Sequence, residues 1–148
     1  MDSSSIGMIA VLVILVGCSA YFSATETAFT SLNSIRMKTW AENGDKRAAR
    51  TLALAGEFDK VLSTILIGNN IVNISASTLA TVLFTKLFFE YGPTISTVVV
   101  TIVVLIFGEI SPKSLAKEFP EKFAMQSTPI LRVLIVVLSP LNALIGLW

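Results

Sequence analysis

The chain has 148 residues, of which 53% are apolar and only 14% charged, with no histidine, one cysteine and a net charge of +1. A soluble domain carries nearer a quarter charged residues, so these values and a mean hydropathy of +0.77 exclude an ordinary water-soluble domain. The missing histidine removes the commonest zinc and copper ligand and the commonest general base, the single Cys18 allows no intrachain disulfide, and the near-neutral balance gives no reason to expect a nucleic-acid partner.

The charges are segregated along the chain. Ser3 to Thr25, Val61 to Thr85 and Tyr91 to Gly108 hold none. Each run reaches the roughly 18 to 20 residues that cross a hydrocarbon core of about 30 Å. The composition therefore predicts an all-α membrane protein, with spans over residues 4–32, 60–88 and 93–116. The first run follows "MDSSSIGM", which has no basic residue, so it reads as a retained helix rather than a cleaved signal peptide.

Between the first two runs lie Arg36, Lys38, Lys46, Arg47, Arg50 and Lys60, six of the eleven basic residues. The positive-inside rule places this segment in the cytoplasm, the N-terminus outside and the C-terminus cytoplasmic, in a multi-pass plasma-membrane protein. Its Ala, Leu, Lys and Arg content favours helix and "ENGD" supplies a turn, which predicts a helical hairpin over residues 34–58. The tail is ambiguous. Pro129 is a good helix start, while Arg132 and the Ser139–Pro140 break weaken a straight span. A fourth span and a helix lying at the interface fit it equally.

Polar groups interrupt the apolar runs at three places. The first run ends "CSAYFSATETAF", with Ser23 and Glu26 three apart. The second holds "LIGNNIVN", in which Asn69 and Asn73 share a helix face while Asn70, a secondary candidate like Glu26, points elsewhere. The third closes on "FGEISPK". There Pro112 has no N–H for the carbonyl of Gly108 four residues earlier, so a free carbonyl can stand beside the Glu109 carboxylate. Bland readings exist for each. Glu109 can snorkel and pair with Lys113, and amides can simply hold membrane helices together. By helix rise, Asn69 lies roughly 14 Å above Lys60, Ser23 roughly 20 Å above Arg36 and Glu109 roughly 12 Å before Lys117. Hydroxyl, amide and carboxylate then fall in one layer. An all-oxygen set favours Mg²⁺, Ca²⁺ or Na⁺ over zinc, and one carboxylate among neutral oxygens suits Mg²⁺ or Na⁺ better than a Ca²⁺ cage of several acids. The Gly108–Pro112 break is a candidate hinge.

"YFSATETAF", "LIGNNIVN" and "FGEISPKSLA", in this order and spacing, resemble the transmembrane domain of the CorC/CNNM (cyclin M) magnesium transporters, in their prokaryotic CorC branch. The resemblance spans essentially the whole chain. It implies a homodimer of subunits with three spanning helices, a cytoplasmic helical hairpin and a C-terminal juxtamembrane belt helix over residues 121–148. It implies a Mg²⁺ site of Ser23, Asn69, Asn73, the Gly108 carbonyl and Glu109, and Mg²⁺ export coupled to Na⁺ entry. The mechanism expected is alternating access from a cytoplasm-facing cavity, without enzyme activity. A Mg²⁺-selective channel and a structural membrane anchor for cytoplasmic regulatory domains are the alternatives. Family members continue into cytoplasmic CBS domains. This chain ends "LIGLW" without them, so an isolated membrane domain, 1–148, lacking nucleotide regulation is expected.

Overall fold

The computed structural model describes residues 3–145, apart from the side chain of Ile145. The expected domain limits at 1 and 148 and the end of the juxtamembrane segment lie outside the described residues. The described chain is all-helical: α1 (Ser3–Ser31), α2 (Ser34–Glu42), α3 (Lys46–Ala55), α4 (Phe58–Phe88), a 3₁₀ turn (Phe89–Tyr91), α5 (Gly92–Val103), a π-helical stretch (Val104–Ile110), α6 (Ser111–Glu118) and α7 (Pro120–Ile145). Among the described residues, three helical stretches are long and apolar enough to cross a membrane: Ser3–Ser31, the run Phe58–Glu118, and Pro120–Leu144. Large apolar side chains stand open on all three, among them Val13 at 67%, Ile74 at 67% and Val136 at 74%. Exposed apolar surface on that scale belongs in lipid, not in water.

The helices divide into two compact units. The first joins the described residues up to Ser23 to Asn69–Pro112. Here α4 turns back on itself into α5. Phe89 takes a positive φ of 56°, a conformation that costs a bulky residue about 1 kcal/mol. The return leg passes so close that a Cβ on Gly92 would sit 2.3 Å from the Thr85 Cα, so only glycine fits there. Four residues along each leg, Thr81 and Ser96 hydroxyls lie 3.5 Å apart.

The second unit joins Ala24–Gly68 to the described residues from Lys113 onward. Asn33 caps α2 by accepting from the Arg36 N–H, and Asp45 caps α3 by accepting from Arg47 and Ala48. Each cap satisfies amide donors that the helix start leaves free. Between α2 and α3, Gly44 turns the chain at φ 99°, and the two helices pack on each other. Helix α7 is bonded to four others in this unit: to α1 through Thr25 and Ser127, to α2 through Arg36 and Glu121, to α3 through Thr51 and Thr128, and to α4 through Ser63 and Asn142.

Two expectations about proline need correction. Helix α7 starts at Pro120, not at Pro129, and carries both Pro129 and Pro140 in its interior. The carbonyls that lose a donor are those of Met125 and Val136, while the Thr128 hydroxyl and the Asn142 amide bond other carbonyls, of Ala124 at 2.8 Å and Leu138 at 3.3 Å. The segment around Pro112 is not broken either. The chain stays helical from Val104 to Glu118, widened by the π-helical stretch that ends at Ile110.

Candidate functional site

The expected site residues Ser23, Asn69, Asn73, Gly108, Glu109 and Pro112 all fall in the first unit, and Glu26 falls in the second. At the centre is a side chain that sequence reasoning passed over. Ser19, 1% exposed, donates to the Asn69 Oδ1 at 3.2 Å. The same Ser19 Oγ would lie 3.1 Å from a Cβ built on Gly108. One hydroxyl of α1 thus touches both an amide of α4 and the open backbone of the π-helical stretch. The antiparallel register of Thr85 with Gly92 and Thr81 with Ser96, carried along both legs, puts Asn69 about level with Gly108.

Ser23 and Asn73 flank this contact, each one turn or about 6 Å along its own helix. Since α1 and α4 run antiparallel, they lie on opposite sides of it. Cβ bonds tilt toward the N-terminus of a helix, which leans both side chains back toward the Ser19–Asn69 contact. Ser23 is buried. Asn73 is half-buried, and its Oδ1 is shielded with no hydrogen-bond partner. An orphaned amide oxygen costs on the order of 1–3 kcal/mol in a protein interior, so it marks a place where an acceptor is held ready.

Glu109 is half-buried and makes no hydrogen bond or ion pair among the described residues. Asn70 is exposed, away from the contact, and Glu26 likewise has no ion pair. In the π-helical stretch each N–H reaches five residues back, as Ser111 does to the Ile106 carbonyl. Pro112 then deprives Phe107 of a donor in the π pattern, or Gly108 in the α pattern. Either way the carbonyls from Phe107 to Glu109 outnumber the amides that can serve them.

Hydroxyl, amide and carbonyl oxygens with one carboxylate make a hard donor set. No group of three or more His, Cys, Asp or Glu occurs among the described residues, so a site here rests mainly on neutral oxygens. Such a set fits a hard cation rather than a transition metal. On the side toward the Phe89–Tyr91 turn lies an apolar cavity of about 560 Å³ bounded by α1, α4, α5 and the π-helical stretch, with Gly17, Ala76 and Phe107 at the end nearest the Ser19 contact.

Ser19 escaped notice because a lone serine in an apolar helix usually bonds its own backbone. The signal was its spacing, four residues before Ser23 and so on the same face.

Residues 10–148 match the family described as cyclin M transmembrane N-terminal domain. Over 123 residues the chain is 42% identical to the UPF0053 inner membrane protein YfjD of Escherichia coli, covering 83% of this chain and 29% of that protein. A UPF0053 protein of Haemophilus influenzae is 41% identical over 93% of this chain and 33% of its own length. A chloroplastic DUF21 domain-containing protein of Arabidopsis thaliana is 38% identical over 72% and 16%. The chain therefore spans about a third or less of the length of these curated relatives.

Proposed function

Because the chain belongs to the cyclin M transmembrane domain family, we propose that it is the membrane domain of a Mg²⁺ transporter. In this reading Mg²⁺ is exported from a cytoplasm-facing cavity by alternating access, with Na⁺ entry as the driving step. The observation that carries it is the meeting of Ser19, Asn69 and Gly108 beside an unpartnered Asn73 oxygen. Polar atoms are expensive inside a membrane and usually mark an ion path. Mg²⁺ dehydrates reluctantly and demands near-octahedral oxygens at fixed positions. Ser19, Asn69 and the Gly108 carbonyl would supply neutral ligands and Glu109 the one charge, with Ser23 or Asn73, each a turn away on opposite sides, completing the shell from one side or the other. The amide oxygen of Asn69 has two lone pairs, so its bond from Ser19 leaves room for an ion.

The wider reading is a homodimer in the plasma membrane, with the N-terminus outside and α7 as a cytoplasmic belt. CBS domains would belong to the remainder of a longer protein. The four helices to which α7 is bonded support a belt over a free-standing span.

Calorimetric titration of the purified chain with Mg²⁺ tests the site. Glu109→Ala and Asn73→Ala should each weaken binding by at least about tenfold, or 1.4 kcal/mol. Unchanged affinity in both variants would remove the site, and no binding by the unaltered chain would favour a structural anchor. In liposomes, saturable flux that needs an opposing Na⁺ gradient separates a transporter from a channel.

A further inference from the structure

The second unit holds a groove that the ion site does not use. Arg47 and Arg50 of α3 and Arg132 of α7 line two adjoining recesses of about 90 and 440 Å³, with Arg50 and Arg132 common to both. The floor is fixed, because Thr51 and Thr128 hydroxyls bond at 2.8 Å where α3 packs on α7. None of the three guanidiniums has a hydrogen bond or ion pair among the described residues. Arg36, by contrast, is paired with Glu121 at 3.2 Å. The acid on the rim, Glu57, lies 3.8 Å from the Lys60 ammonium. Three like charges gathered in one groove repel one another unless an anion joins them.

Chemistry along α7 narrows the choice of anion. Met125, Thr128, Pro129 and Arg132 line the groove from one helix face, and the same face continues a turn later into Val136. Val136 is 74% exposed, and its neighbours Val133 and Val137 are 62% and 63% exposed. An arginine-lined recess running into bare aliphatic surface fits a molecule with a phosphate at one end and hydrocarbon at the other. Guanidiniums grip phosphate oxygens in pairs, and basic recesses between membrane-protein helices hold anionic headgroups. We propose that Arg47, Arg50 and Arg132 bind the headgroup phosphate of an anionic phospholipid, whose acyl chains lie along Val133, Val136 and Val137. A free phosphate would satisfy the arginines but gain nothing from the aliphatic stretch.

Native mass spectrometry of the full chain in detergent tests this, with phosphatidylglycerol, phosphatidylcholine and inorganic phosphate as probes. Phosphatidylglycerol should give saturable adducts that phosphatidylcholine does not match and millimolar phosphate does not displace. The Arg50→Gln/Arg132→Gln double variant should lose affinity by at least about tenfold, as expected when two guanidiniums leave an anionic headgroup. The Arg50→Lys/Arg132→Lys variant keeps the charge without the planar fork and should lose less. All three side chains are exposed, so melting temperatures should stay close to that of the unaltered chain. If the glutamine variant does not fold, the lysine variant still has to bind more weakly than the unaltered chain. Equal adducts with both lipids, or phosphatidylglycerol binding unchanged by either substitution, overturns the proposal. Displacement by inorganic phosphate overturns it too, and reassigns the groove to a soluble anion. None of these results depends on Mg²⁺ binding.

Discussion

A methyl group at position 108 would stand 3.1 Å from the Ser19 hydroxyl, so the hydroxyl must give by a few tenths of an ångström and its 3.2 Å bond to Asn69 is disturbed. Gly108→Ala should therefore weaken Mg²⁺ binding more than it lowers stability, with a melting penalty of only about 1 kcal/mol. Ser19→Ala removes the same hydroxyl without adding bulk. It should cost about 1 kcal/mol of stability and at least tenfold in Mg²⁺ affinity by titration. Equal affinity in both variants would show that the contact merely packs helices. At this scale the sequence was legible where chemistry breaks a pattern: an acid, a proline and paired amides all stand out in apolar runs. Ser19 does not, because a hydroxyl in a membrane helix carries little signal until its cross-helix partner is known.

For the elements, hydropathy made the all-helical class and the apolar helices readable, since charge is costly in lipid and the chain confines it to a few segments. Caps were readable in principle from Asn33 and Asp45. Asp45→Ala should lower stability by about 1 kcal/mol in thermal unfolding. The π-helical stretch was not legible. Proline signals a missing donor, but neighbouring residues decide whether the helix breaks, kinks or widens. Pro112→Ala restores that donor. It should raise the melting temperature while weakening Mg²⁺ binding, because a regular α-turn at residues 107–109 would use up the spare carbonyl. Pro129 and Pro140 misled for the same reason: each takes a donor from one carbonyl, of Met125 or of Val136, and the helix continues through both.

For the molecule as a whole, the distribution of basic residues gives a topology that can be checked directly. In a Cys18→Ser background, Ser4→Cys should react with a membrane-impermeant maleimide in intact cells. Lys46→Cys should react only after permeabilisation, and the reverse pattern would invert the proposed orientation. Long-range pairing, such as Ser63 with Asn142 or Thr25 with Ser127, was beyond a linear reading because each partner alone is an ordinary small polar residue. The near-collision of Gly92 with Thr85 has a mechanical result. It pins the two legs of the first unit at their tip, as a rivet pins shears. From that rivet to Gly108 the helix rise amounts to about 24 Å, so a swing of only about 5° would open the blades by about 2 Å at the proposed ligands while the tip stays shut.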